Sequence, residues 1–233
     1  MKEQLALLMG EHADKIALCA DSLEKFFELL LEWNEKMDLT NVPPEQMAER
    51  HFADSLLPLF VLPQYFKEGG SLIDVGTGAG FPGLPIAIAR PDIKVTLLDS
   101  QRKRCDFLTA VKEALSLDNV TVLHSRAEDA ARGALRERFD MVTARALAPL
   151  NVLSEYLLPF ARVGGYALCW KGPALMNELE DGKRAVQILG GEVEPAVRMP
   201  IEGSEHLLQP LRKVLKTPKP YPRKAGTPSK QPL

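Results

Sequence analysis

The stretch Asp74-Val75-Gly76-Thr77-Gly78-Ala79-Gly80-Phe81-Pro82-Gly83 constrains this chain more than any other ten residues. Glycines directly after an apolar run let the backbone turn tightly and approach a ligand, and a helix starting behind them presents free N–H groups. Pro82 suits a first helical turn, where no N–H is required. The run before it, Ser71-Leu72-Ile73-Asp74-Val75, reads as a buried strand, and further strand-like runs follow at 93–99, 120–123, 139–143 and 166–170. Helical segments lie between them near 82–90, 102–116 and 150–160. Parallel strands need crossover helices, so this alternation predicts an α/β fold with a doubly wound parallel sheet. Val193–Met199 and His206–Leu215 have no long helix between them and are expected to pair antiparallel at the sheet's far edge.

Two ligands compete for the glycine turn. Gly78-Ala79-Gly80-Phe81-Pro82-Gly83 matches the dinucleotide fingerprint G-x-G-x-x-G, and Asp99 follows about 20 residues on, as that fingerprint asks. The strand ends at Val75, however, so the turn begins at Gly76 and continues through Thr77 and Gly78. Counted from Gly76, the third glycine position is Phe81. The carboxylate of Asp74 would repel a pyrophosphate but favours the cationic amino-acid end of S-adenosylmethionine (SAM). Asp99, ending the second strand, is expected to accept from both ribose hydroxyls. SAM is the preferred reading, with a dinucleotide behind it and a turn that binds nothing last.

Other strand ends add weaker signals. Ser125-Arg126-Ala127-Glu128 follows the third strand and is expected near the adenine, although Glu128 equally suits a helix N-terminal charge. Arg145 follows the fourth strand, where it would hold a phosphate or the face of a base, or else pair with Asp74 or another carboxylate. Lys171, after the fifth strand, carries the same two readings. His51, with Asp54 nearby, suggests a base and its orienter, but a lone histidine in an amphipathic helix is more often a packed residue. No pattern of Ser, His and Asp forms a nucleophile elbow.

The amino-terminal part has helical spacing. Asp21-Ser22-Leu23-Glu24 has the form of a capping box, and Leu23, Phe26, Phe27, Leu30 and Leu31 recur at three- and four-residue steps. Asn41-Val42-Pro43-Pro44 stops that helix, and a second spans about 46–59. The expected organisation is a helical extension packed on the core over 1–68, a core over 69–216 and a basic, proline-rich tail over 217–233.

Charge separates the tail from the body. The chain's net charge is −2, yet after Glu205 there is no acidic residue, while Arg212, Lys213, Lys216, Lys219, Arg223, Lys224 and Lys230 follow. The tail is therefore expected to meet RNA phosphates or to be a solvated end. Cys19, Cys105 and Cys169 are solitary, which predicts neither a zinc site nor a disulfide framework, and no metal is expected. With 45% hydrophobic residues in 233, the core needs neither. No apolar run reaches membrane-spanning length, and Met1-Lys2-Glu3-Gln4 is unlike a secretory signal, so a cytoplasmic protein without membrane contact is expected.

Taken together, Asp74 to Gly83 resembles the signature of the bacterial glucose-inhibited division protein B family, the 16S ribosomal RNA guanine-N7 methyltransferases. The resemblance extends to Trp33-Asn34, Leu39-Thr40-Asn41, His51-Phe52-Ala53-Asp54-Ser55-Leu56, Leu97-Leu98-Asp99-Ser100, Ser125-Arg126-Ala127-Glu128, Ala144-Arg145-Ala146, Trp170-Lys171-Gly172 and the tail Tyr221 to Pro228. It implies a class I SAM-dependent methyltransferase fold, Rossmann-like, with a seven-stranded sheet, one strand antiparallel, and a helical amino-terminal extension. It also implies SAM contacts at Gly76, Phe81, Ala127, Glu128 and Arg145, with S-adenosylhomocysteine as product. The substrate it implies is a guanine in the 530 loop of 16S rRNA, within the 30S ribosomal subunit. Arg145 and Lys171 are the expected catalytic residues, and a monomer is expected, since no heptad pattern demands a dimer. A non-catalytic RNA-binding assembly factor with a retained SAM site, or an NAD(P)-dependent oxidoreductase, are the alternatives.

Overall fold

A computed structural model describes residues 1–145, 147–201 and 206–233. The strands form where apolar runs are bounded by turn residues: β1 Ser71–Val75, β2 Lys94–Asp99, β3 Val120–His124, β4 Phe139–Arg145, β5 Ala161–Lys171, β6 Gly191–Val193, β7 Val197–Arg198 and β8 Leu207–Lys213. They lie in the order β3-β2-β1-β4-β5-β8-β6, with β7 paired to β8. The strands β1 to β5 run parallel to one another, and β8 runs against β5, β6 and β7. The late pairing expected from sequence is present as Val197 opposite Leu208 and Arg198 opposite Leu207. β8 is interior to the sheet, and the short β6 and β7 share its outer side, one at each end.

Strand alternation sorts the side chains between two cores. Leu72, Leu97, Met141, Leu168 and Trp170 face one cluster, shared with Leu23, Phe26, Leu30 and Phe52 of the amino-terminal helices. Ile73, Val75, Val142, Ala144 and Cys169 face the other, built with the helices Leu150–Leu157 and Leu175–Ile188. Phe26 is the hinge of the first cluster: it meets Phe52, Phe81 and Phe107 at ring-centroid distances of 5.4, 5.1 and 6.4 Å. Amino-terminal helix, glycine turn and sheet-flanking helix thus share one aromatic junction, where such pairs add to simple area burial.

Two local expectations change. The helix at the amino-terminal periodicity is Ala20–Asn34, beginning one residue before Asp21, and no side chain caps it. Asp21 pairs with Lys2 Nζ at 2.7 Å, while Glu24 accepts the backbone N–H of Lys2 at 2.8 Å, so the box residues hold the preceding helix instead. The second helical stretch is broken into Pro44–Met47, a π-helical turn Ala48–Ala53, and short helices Asp54–Leu56 and Pro58–Val61.

The tail is folded onto the body. Lys213 is fully buried and donates to the carbonyls of Leu158 and Leu189 and to the Thr217 hydroxyl. Burial pushes its ammonium down to about 8, partly offset by Glu137. Arg223 is bound to Glu155, and Arg212 to Glu192. Lys216, Lys219, Lys224 and Lys230 are exposed, as is Arg212 beside Glu192. The segment's charge is therefore divided between internal pairing and solvent, a division that composition does not reveal.

Candidate active site

The carboxyl ends of β1 to β5 open into two neighbouring cavities, as expected where the strand order reverses between β1 and β4. The glycine turn forms the floor of the first. Gly76 and Thr77 both donate to Leu98 O, at 2.8 and 3.1 Å, which fastens the turn to β2. Gly76 has φ +66°, and a Cβ there would lie 2.8 Å from Leu147 Cδ1. A side chain at this position would be strained and would intrude on the cavity wall.

Asp74 holds the turn from beneath. Because it shares the face of Leu72, its carboxylate turns into the protein, where it is 0% exposed. One oxygen accepts from Thr77 Oγ1 at 2.6 Å and Gly83 N–H at 3.0 Å; the other accepts from Thr143 Oγ1 at 2.8 Å. Burial pushes its pKa up, and those three donors oppose the shift. Asp74, Thr77, Gly78 and Phe81 therefore lie outside the lining of the first cavity, whereas Gly76, Asp99, Ala127 and Glu128 line it. The charge of Asp74 is expected from sequence to face the ligand, but the alternation of β1 directs its carboxylate away from the cavity.

Asp99 is the polar centre of this cavity of about 430 Å³. Its Oδ2 accepts from Gly78 N–H at 2.9 Å and its Oδ1 from Gln101 N–H at 2.8 Å. A carboxylate offers about four acceptor sites, so both oxygens keep capacity toward the cavity. Glu128 is buried and accepts from Gly226 N–H at 2.8 Å. A glycine floor, a carboxylate suited to a vicinal diol and a cavity within the roughly 300–1,000 Å³ typical of small-molecule sites fit SAM.

The second cavity, of about 380 Å³, lies between the amino-terminal helices and the ends of β4 and β5. Arg145 enters it from β4. Its Nη1 donates to Arg50 O at 2.8 Å and to Asp54 Oδ2 at 3.2 Å, and its Nη2 donates to His51 Nδ1 at 2.9 Å. A guanidinium only donates, so His51 Nδ1 must accept, and the ring proton sits on Nε2, which donates to Thr40 Oγ1 at 2.7 Å. Burial first, then the Arg145 charge, pushes the His51 pKa down to about 3. The neutral ring stacks on Phe81 at 4.5 Å, and the guanidinium lies 5.2 Å over the same ring. Phe81 is thus a platform for Arg145 rather than a lining residue.

His51 and Asp54 are three residues apart and reach Arg145 from one side of the π-helical turn, a local widening often found at functional sites. Asp54 Oδ1 also accepts from His206 Nδ1 at 2.8 Å, and this bond raises the His206 pKa. Trp170 Nε1 donates to Asp54 O at 3.1 Å, fixing the extension to β5. Lys171, the last residue of β5, pairs with Glu178 Oε2 at 2.5 Å and donates to Ala148 O at 3.1 Å. Both expected catalytic residues line this cavity as ion-paired cations. Ala146, next to Arg145, lies outside the described residues.

Sequence patterns do not single out His206, Glu178 or Tyr156, and they place the tail against RNA or in solvent rather than at the first cavity, which Ala225, Gly226 and Ser229 line. His51 and Asp54 are visible in the sequence as a base with its orienter, or as a packed histidine, but not as the holders of Arg145. Among the described residues, no group of three or more His, Cys, Asp or Glu is arranged to hold a metal ion, and no helix is long and apolar enough to cross a membrane.

Comparison with known proteins agrees with this architecture. A variant of the 16S rRNA (adenine(1408)-N(1))-methyltransferase from Catenulisporales acidiphilia, solved with cosubstrate SAM, superposes with a TM-score of 0.55 at 19% identity, covering 77% of this chain and 95% of that one. At that identity the likeness concerns the fold, that of the class I SAM-dependent methyltransferases. Ribosomal RNA small subunit methyltransferase G of Alkaliphilus metalliredigens (strain QYMF) is 45% identical over 229 residues, covering 97% of this chain and 94% of the relative. The protein of the same name from Alkaliphilus oremlandii (strain OhILAs) is 47% identical over 217 residues, covering 91% and 90%. The family model described as GidB, rRNA small subunit methyltransferase G, matches residues 20–208, and the chain belongs to that family.

Proposed function

We propose that this chain transfers the methyl group of SAM to N7 of a guanine in the 530 loop of 16S rRNA. The observation that supports this most is the pair of adjoining cavities: one has a glycine floor and the Asp99 carboxylate, the other the cations Arg145 and Lys171. Bound SAM supplies an electrophilic methyl group on its sulfonium. Guanine N7 carries an in-plane lone pair and no proton, so its attack needs neither a general base nor a Lewis acid, and no metal is proposed. This suits a second cavity whose His51 is neutral and already bonded through both ring nitrogens.

The chain's task is then to hold the acceptor at near-attack distance. Gly76 leaves room for the ligand's backbone-side approach, and Asp99 orients the ribose. Arg145, fixed by His51, Asp54 and Phe81, and Lys171, fixed by Glu178, hold the target nucleotide through phosphate or base contacts. An unstacked base in an RNA loop is the accessible form. The exposed lysines of the tail suit the same partner. In this reading residues 1–68 form the nucleotide-side wall, 69–216 the catalytic core, and 217–233 the tail, in a cytoplasmic monomer acting on the 30S subunit or its rRNA.

Lys171→Ala should lower transfer at least about 100-fold, the scale of a misplaced reactant, with SAM affinity nearly unchanged. Retained transfer would remove Lys171 from the catalytic set. The function itself is tested by transfer of labelled methyl from SAM to 30S subunits and 16S rRNA from a strain lacking the protein. Label in one guanine, released as 7-methylguanine, is the expected result. SAM binding with no label in rRNA would point instead to a non-catalytic assembly factor.

A further inference from the structure

The tail is held by groups that a solvated end would not require. Glu155 is 0% exposed and takes the Arg223 guanidinium at 2.6 Å and the Arg223 backbone N–H at 2.7 Å. A buried carboxylate without a partner is strongly unfavourable, so the body is committed to this segment. Arg136 donates to the carbonyls of Thr217 and Tyr221, both at 2.7 Å, and Arg132 to that of Pro222 at 3.0 Å. These anchors fix where the next residues go. Gly226 donates its N–H to Glu128, Ser229 Oγ meets the Tyr156 hydroxyl at 2.6 Å, and Ala225, Gly226 and Ser229 line the first cavity. Gly226 has φ +80°, which glycine adopts without strain.

We propose that residues 221–230 are a wall of the cofactor cavity, with Ala225, Gly226, Ser229 and Tyr156 contacting the adenine end of SAM. The neighbours assign the end: Asp99 is the ribose acceptor, and the tail lies against the segment after β3, beyond Asp99 in the sheet order. Glu128 faces the cavity and ties the wall to that segment through Gly226, so the two sides of the adenine slot are mechanically joined. The segment thereby removes apolar base surface from water. This inference rests on the cavity binding SAM, and it adds a binding role for residues beyond the stretch 20–208 that the family model matches.

The test measures S-adenosylhomocysteine and adenosine binding by calorimetry to the intact chain, to Gly226→Pro, and to a chain ending at Pro220 that also carries Glu155→Gln. Gly226→Pro loses the N–H that meets Glu128 and cannot adopt the positive φ. Both altered chains should bind each ligand at least about tenfold more weakly, by similar factors, because the lost contacts are at the adenine end. Affinities within about twofold of the intact chain would overturn the wall. Hydrogen exchange on the unaltered protein decides independently of folding: S-adenosylhomocysteine should slow exchange across 225–230, and unchanged exchange there overturns the proposal. An intact chain that binds no S-adenosylhomocysteine overturns the cofactor reading itself, whereas tight binding indifferent to the tail overturns only the wall.

Discussion

Asp74→Ala should lower stability by about 3–5 kcal/mol and abolish measurable SAM binding, even though Asp74 lies outside the cavity lining. The substitution removes the acceptor of two hydroxyls and one backbone N–H in a fully buried place. A buried donor left unsatisfied costs about 1–3 kcal/mol; the two hydroxyls can rotate in search of other partners, while the Gly83 N–H cannot. The glycine turn would lose its tie to the start of the helix Gly83–Ala89, and the cavity floor with it. Urea unfolding gives the first quantity and calorimetry with S-adenosylhomocysteine the second. Wild-type affinity in a destabilised variant would show that the floor keeps its shape without this carboxylate.

The second large effect is expected on acidification. His51 has a folded pKa of about 3 against 6.5 for an ordinary histidine. Between those values the unfolded chain binds the proton and the folded chain does not, so stability rises with pH across that window. The contribution is complete above about pH 6.5 and is lost as pH falls toward 3, up to about 4–5 kcal/mol at 1.36 kcal/mol per unit. His206 acts in the opposite sense. Its pKa is raised by Asp54, so its contribution is present below 6.5 and is lost as pH rises through the folded value. In urea unfolding at successive pH values, His51→Asn should flatten the acid limb, and His206→Asn should remove stability mainly below pH 6.5. An unchanged acid slope in His51→Asn would mean that other groups dominate it. In the folded chain His51 stays neutral until about pH 3, so its bond from Arg145, and transfer with it, should persist across the window in which stability is being lost.

The sheet was legible because its parallel strands are short apolar runs bounded by glycine, proline and asparagine. The first run matches β1 residue for residue, and the next three agree within one or two residues at each end. The helix Leu175–Ile188 was not anticipated; its polar residues and Gly182 dilute the apolar period. At the site, strand ends locate Asp99, Arg145 and Lys171 because parallel sheets gather ligand groups at their carboxyl ends. Asp74 shows the limit of that rule, since one step of the pleat moves a carboxylate from ligand to scaffold. Glu155 shows another: in Leu150–Leu157 it reads as a helix charge, and nothing local announces a partner 68 residues away. The apparent capping box at Asp21 failed for a similar reason, the preceding helix competing for the same side chains.

The two cavities differ in the sign of their fixed charge, and that difference has a consequence for turnover. The first is lined by the carboxylates Asp99 and Glu128 against Arg126, the second by Arg50, Arg145 and Lys171 against Asp54 and Glu178. Methyl transfer to N7 moves one positive charge from the sulfonium to the purine. With SAM in the first cavity and the guanine in the second, as proposed, the cation begins where anions predominate and ends where cations do. Both products are then held less favourably than the reactants were: the cofactor has lost its attraction to the acidic side, and the modified base faces the predominantly cationic lining. The gradient that assembles the ternary complex thus favours its dissolution once the methyl has crossed, at the expense of a transfer step that the same asymmetry makes less favourable within the site.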